Sequence, residues 1–269
     1  MDGWRGGRLV VNLVDMPIKC PVAPLEFAFL AESWLRKKGL RDKTELVFAT
    51  PLDGTFTKPI AAASLGGMLE RRGIEQVSHF AVESVADEAR VVRSYDGREL
   101  DFDLLVTVPL HAGAAPIRAS GLGDDLGFVP THKHTLQSDA HEHIFVIGDA
   151  TNLPSSKAGA VAHFQGDVLP GNLLRHIAGR PLLPEFDGHT NCFIETGDGQ
   201  AMLIDFNYTT EPLPGRFPLP GVGPFSLLEE SRINHLGKLA FETIYWNAIV
   251  RGEELPLHHR MQMHGKRSA

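Results

Sequence analysis

The sequence predicts an α/β protein: a parallel sheet with a β-hairpin inserted into it, followed by a smaller C-terminal α+β region. Three observations lead there. Apolar, β-branched runs alternate with helical stretches through the first half of the chain. The pair Asp96-Gly97 separates two extended runs. After Pro181 the pattern changes to a second hairpin, a proline-rich stretch and one helix.

Taken in order, RLVVNLV (Arg8–Val14) reads as a buried strand, since its aliphatic residues run almost without interruption. CPVAPLEFAFLAESWLRKKG then reads as a helix, with Pro24 and Glu26 early, Arg36, Lys37 and Lys38 late, and Gly39 as its stop. TELVFAT (Thr44–Thr50) is the next strand, which completes a βαβ unit and makes the sheet parallel. Ala61–Gly73 reads as a helix, Ala89–Leu110 as a hairpin, and LLVTVPL within it as a further buried strand.

A loop-rich stretch, His111–Glu142, precedes a short strand, Ile144–Ile147, and a helix that Ser155 or Ser156 would cap. Asn191–Tyr208 reads as two strands around Gly197-Asp198-Gly199. EPLPGRFPLPGVGP reads as a semi-rigid connector, residues 226–252 as the last helix, and residues 258–269 as a frayed tail.

Composition bounds the function. A formal net charge of −7 over 269 residues, with no basic stripe, argues against a nucleic-acid partner. Two cysteines are too few for a disulfide scaffold. No run approaches the roughly 20 apolar residues that cross a bilayer, which leaves open lying on one. THKHTLQSDAHEH (Thr131–His143) crowds four histidines into a loop, but its spacing fits no structural zinc pattern, and no metal site is expected.

The most informative stretch is HIFVIGDATNLPSSKAGAVAHFQG, residues 143–166. A strand that ends on Gly148 and Asp149 offers close backbone approach and a carboxylate for ligand hydroxyls. Lys157, Ala158 and Gly159 would open the following helix. There a lysine opposes the helix dipole unless an electron-rich group faces both.

This stretch resembles the second FAD-binding motif of the two-dinucleotide-binding-domain flavoproteins, which makes the expected sheet Rossmann-like (FAD/NAD(P)-binding-like). The resemblance implies that Asp149 holds the ribityl chain, and that Lys157 and the amides after it face the pyrimidine end of the flavin. KCPVAPLEFAFLAESWL and TNCFIETGDGQAMLIDFNY narrow the likeness to sulfide:quinone oxidoreductases and flavocytochrome c sulfide dehydrogenases. By that resemblance Cys20 and Cys192 are the redox pair, sulfide the donor and a quinone the acceptor. His163 is a candidate proton donor near the quinone. The resemblance implies that the last helix gives peripheral contact with the cytoplasmic membrane, the alternative being packing against the domain's own core; off the membrane the chain would be cytoplasmic.

Expected regions are a dinucleotide-binding-like middle domain (1–110), the remainder of an FAD-binding domain (111–180) and a C-terminal region (181–269). The family's first FAD-binding βαβ unit would precede residue 1. The chain is therefore expected to be truncated, to associate as an oligomer, or to take that half from another chain. Two alternatives stand. A type II NADH:quinone oxidoreductase relative is opposed by DMPIKCPVAP, which sits where a glycine-rich turn belongs, and by the wrong spacing of GLGDDLG. A non-catalytic remnant would act as a binding module.

Overall fold

The computed structural model describes residues 3–219, 223–253 and 257–267. The chain divides into two compact units: residues 1–110 with 194–202, and residues 111–193 with 203–269.

The first unit runs β1 (Gly7–Leu13), α1 (Ala23–Lys37), β2 (Thr44–Ala49), α2 (Pro59–Arg71), β3 (Glu75–Val77), β4 (Val82–Ala86), β5 (Val91–Ser94), β6 (Glu99–Asp101) and β7 (Leu104–Val108). Three parallel pairings give the order β3-β2-β1-β7, with Val10 opposite both Val47 and Leu105. β1 and β2 are buried along most of their length, which is why their sequences are unbroken apolar runs. β7 was expected to be buried too, but at the sheet edge it is only half-buried.

The antiparallel trio β4-β5-β6 packs Phe80, Val92 and Leu100 onto Val10, Val47 and Ala49. α1 lies on β1 and β2 and buries Leu25, Ala28, Phe29 and Leu35 at helical spacing. Full burial of Phe29 alone is worth about 1.5–3 kcal/mol.

A hairpin of β8 (Thr190–Gly197) and β9 (Gln200–Phe206) follows later in the chain, and its tip belongs to this unit. Glu195 donates its N–H to Glu26 Oε2 at 3.3 Å, and Ser33 Oγ donates to Asp198 Oδ1 at 2.8 Å. Gly197 has φ +86°, and a Cβ there would stand 2.5 Å from that of Ser33, so the tip requires glycine.

The second unit holds α3 (Ala115–Ala119), α4 (Gly159–Ile177), the outer parts of β8 and β9, β10 (Gly215–Leu219), β11 (Gly223–Leu227), β12 (Glu230–Ser231) and α5 (Arg232–Asn247). Its sheet is ordered β10-β11-β9-β12, with β8 on β9. α4 supplies Val161, Phe164 and Val168 to a core shared with Leu136, Leu153 and Phe186.

Several expectations are corrected here. Ile144–Ile147 forms no ladder among the described residues. Phe145 makes an isolated bridge to Gln137, and Val146 donates its N–H to Leu136 O at 2.9 Å. An apolar run becomes a strand only when a neighbour pairs with it.

The stretch 211–224 is not simply a connector. Pro218 lies in the edge strand β10, where its missing donor is tolerated, and faces Pro224 in β11, while Pro212 and Pro214 precede β10. The middle of that stretch, residues 220–222, lies outside the described residues.

α5 starts only at Arg232, because residues up to Ser231 are taken by β11 and β12. Ser231 Oγ caps it by accepting from Asn234 N–H at 3.0 Å. The tail is not frayed over residues 258–267. Arg260 donates to Pro184 O and Glu185 O, Arg216 N–H to Gly265 O, and Arg267 N–H to Pro214 O. Residues 268–269 of that stretch lie outside the described residues.

Candidate functional site

The Gly148–Asp149 turn is a single turn of tight helix, Gly148–Ala150. Gly148 has φ +67°, while a Cβ there would meet Ala162 only at ordinary contact distance. Backbone conformation, not crowding, calls for the glycine. Gly148 N–H donates to Gln165 Oε1 at 2.6 Å, and its carbonyl accepts from Thr151 Oγ1 at 3.0 Å. Asp149 is half-buried at the head of this turn.

Lys157 departs from expectation. It precedes the helix, and α4 begins at Gly159 after an extended Ala158. Neither Ser155 nor Ser156 caps it, since α4 has no side-chain cap at all. Lys157 is buried instead, with Nζ donating to the carbonyls of Asp149, at 3.3 Å, and Thr151. Its ammonium also lies over the Phe128 ring. A lysine fixed on two carbonyls and a ring face leaves a full positive charge under the turn, next to an uncapped helix N-terminus. Asp149, Lys157, Ala158 and Gly159 are thus brought into one corner of the second unit.

These residues fit the ribityl and pyrimidine portion of a flavin: a carboxylate for hydroxyls, then a fixed cation and the Gly159 amide for an electron-rich edge, the Ala158 N–H already donating to Ser156 O at 3.0 Å. A further residue, unnoticed in the sequence, supports the turn. Gln165 is fully buried and its Nε2 has no hydrogen-bond partner among the described residues. The signal was there, because Gln165 is a polar residue in the buried register of α4 that includes Val161, Phe164, Val168 and Asn172.

The two cysteines fall in different units. Cys20 lies in the first, half-buried in the turn before α1. Its φ is +54° and its carbonyl accepts from Ala23 N–H at 2.9 Å, so it stands ahead of the helix rather than inside its first turn. Cys192 lies in the second, half-buried on β8.

The loop histidines serve local structure. His132 Nδ1 accepts from Thr135 N–H, His134 Nδ1 pairs with Phe186 O at 2.7 Å, and His143 Nδ1 meets His176 Nε2 at 2.9 Å. His163, on α4, is mostly buried with Asp167 4.0 Å away.

α5 leaves apolar side chains open to solvent around much of its circumference. Ile233, Leu236, Leu239, Phe241, Ile244, Tyr245 and Trp246 are each between 40% and 61% exposed. Among the described residues no helix is long and apolar enough to cross a membrane.

No family model matches the chain. The mitochondrial sulfide:quinone oxidoreductase of Dictyostelium discoideum is 32% identical over 252 residues, which is 92% of this chain and 54% of that protein. The mouse enzyme is 27% identical over 259 residues, 94% of this chain and 56% of that protein. The chain spans about half the length of the curated relatives it matches.

Among solved structures, the sulfide:quinone oxidoreductase of Aquifex aeolicus superposes with a TM-score of 0.69 at 17% identity, over 91% of this chain and 59% of that one. A chain in the Tetrahymena thermophila mitochondrial ATP synthase superposes with a TM-score of 0.68 at 21% identity, over 91% and 58%. These likenesses establish the fold as the Rossmann-like α/β fold of FAD/NAD(P)-binding oxidoreductases. Over more than nine-tenths of its own length, and about half of theirs, this chain is similar to sulfide:quinone oxidoreductases.

Proposed function

We propose that the chain forms the flavin and sulfur-handling part of an FAD-dependent sulfide:quinone oxidoreductase. The observation that carries this reading is the Gly148–Asp149 turn, with buried Lys157 beneath it and α4 uncapped beside it, in a chain similar to such enzymes. Asp149 holds the ribityl hydroxyls. Lys157 and the Gly159 amide stabilise negative charge at the pyrimidine edge. When bound, FAD supplies a two-electron acceptor that can be reoxidised by a quinone.

Cys20 and Cys192 handle sulfur. HS⁻ adds to an oxidised cysteine sulfur, which leaves a persulfide there and frees a thiolate. A nucleophilic sulfur acceptor then takes the outer sulfur, and the two cysteine thiolates close again to a disulfide; the two electrons so released would pass through bound FAD to the quinone, which takes them with two protons to become a quinol. The exposed apolar side chains of α5 seat the protein peripherally on the membrane that holds the quinone.

The test is the visible spectrum of the purified chain with added FAD. A flavin band that binds and is bleached by sulfide but not by NADH supports the reading; bleaching by NADH overturns it in favour of a pyridine-nucleotide enzyme. A colourless protein that takes up no FAD, alone or co-expressed with the half of the relatives it does not span, supports a second reading. That reading is a binding or assembly module, and the occurrence of this fold within an ATP synthase assembly favours it.

A further inference from the structure

We propose that residues 257–267 form a proton-linked latch on the root of the strand that carries Cys192, with His189 and Lys266 as its positioning residues. The tail is tied by side chains that are almost wholly buried. Lys266 Nζ is paired with Asp205 Oδ2 on β9 and also donates to Gln262 O at 2.5 Å; its side chain and that of Asp205 are at most 1% exposed. Asp205 Oδ1 lies 2.7 Å from His189 Nε2, and His189 Nδ1 lies 2.9 Å from the carbonyl oxygen of His258.

Donor accounting sets the state of the ring. Asp205 pairs with the ammonium of Lys266 through its other oxygen, and a carboxylate and a backbone carbonyl can only accept. Both nitrogens of His189 therefore donate, and the ring carries both protons.

The groups around it agree with a positive ring. Asp187, just before β8, accepts from His189 N–H at 3.0 Å through Oδ1. Its Oδ2 accepts from Asn207 Nδ2 at 2.8 Å and from Met261 N–H of the tail at 3.1 Å. α4 contributes the Phe164 ring, stacked on His189 at 4.1 Å and 7°; the neighbouring His163 has its own carboxylate in Asp167. Farther along the tail, His259 and Arg260 face Glu185 at 3.9 and 3.5 Å. His189 and Lys266 thus balance Asp187 and Asp205 inside the unit.

A ring that carried one proton would leave a bare nitrogen against an acceptor. This is a buried mismatch that neither partner can mend by turning. The latch is therefore closed while the ring carries both protons and opens when one is lost. Cys192, on β8, lies three residues beyond His189, which immediately precedes that strand, so the latch fixes the strand at its foot. This positioning role rests on the reading of Cys192 as a sulfur-handling residue; the latch itself does not.

The test is backbone hydrogen exchange by mass spectrometry on the full chain from about pH 6 to about pH 10, with exchange times scaled for intrinsic rates. Peptides covering 257–267 and 187–193 should lose protection together, by about tenfold or more, while α1 peptides do not. Lys266→Met should open both at the low end of the range, and His189→Gln should make their exchange independent of pH. Flat protection of 257–267 in the unmodified chain overturns the latch, and that measurement stands even if a variant fails to fold. A tail that opens while 187–193 stays protected overturns the positioning role. Flavin reduction is not read, so an exchange result and a failure of the sulfide reading remain distinguishable.

Discussion

The ammonium of Lys157 lies 3.9 Å from the centroid of the Phe128 ring, in a lysine only 8% exposed. Together with two backbone carbonyls the ring holds the cation in place before α4 starts, so the charge is preorganised rather than recruited. Lys157→Met keeps an apolar stem against Phe128 but strands the Asp149 and Thr151 carbonyls. Each unsatisfied group costs about 1–3 kcal/mol, so the urea-derived stability should fall by about 2–6 kcal/mol. FAD affinity, measured by flavin fluorescence quenching, should fall as well. An unchanged urea midpoint would show that other donors serve those carbonyls.

Cys192 is half-buried on β8, and a serine there is nearly isosteric. Cys192→Ser should leave stability within about 1 kcal/mol of the parent and abolish reduction of bound flavin by sulfide, since a serine oxygen forms neither disulfide nor persulfide. Dithionite should still reduce the flavin in the variant. Sulfide reduction at the parental rate would remove Cys192 from the sulfur route.

At the hairpin tip, the Arg36 guanidinium bonded to Asp198 holds that carboxyl below its usual range, helped by Ser33. A carboxyl depressed in the folded state adds stability that is complete above its unfolded value and is lost as pH falls through the folded one. The loss therefore begins near about pH 4 and continues below. More than a third of the Asp198 side chain is exposed, so solvent screening limits the effect to about 1 kcal/mol or less. Asp198→Asn suits the left-handed backbone at this position, φ +54°. Between about pH 7 and about pH 3 its urea midpoint should decline less than that of the parent. Parallel declines would show that the pair contributes nothing.

The sequence made some of this legible and hid the rest for physical reasons. β1 and β2 were readable because strands buried on both faces must be apolar throughout, and Asp96-Gly97 because a tight hairpin needs left-handed residues. The Gly148–Asp149 turn could be found because glycine and carboxylate there serve a local geometry. Ile144–Ile147 misled, since its residues have strand character while pairing is decided by neighbours elsewhere in the chain. The His189, Asp205 and Lys266 group was invisible: each member is an ordinary polar residue, and only folding brings residues so distant in sequence onto one another. The tail likewise looked featureless, because its ties, Lys266 to Asp205, Arg260 to the carbonyls of Pro184 and Glu185 and two backbone bonds to residues 214 and 216, all reach residues distant in sequence.

α5 carries the last prediction. Its docking rests on few groups. Fully buried Asn234 accepts from Ser226 N–H and donates to the carbonyls of Ser226 and Glu229. Leu239 and Trp246, in contrast, are 58% and 61% exposed and contribute little to packing. Substituting both with glutamate should therefore change stability by no more than about 0.5 kcal/mol per site. If this face lies in a lipid interface, burial of the two side chains there contributes up to about 1.5–3 kcal/mol each, and anionic replacements add repulsion from anionic headgroups. Co-sedimentation with vesicles of phosphatidylcholine and cardiolipin should then fall at least about tenfold in the double variant. Quinone reduction in those vesicles should fall with it, while reduction of a water-soluble quinone stays at the parental rate. Equal sedimentation of parent and double variant would detach α5 from the membrane and leave its apolar side chains to some other role.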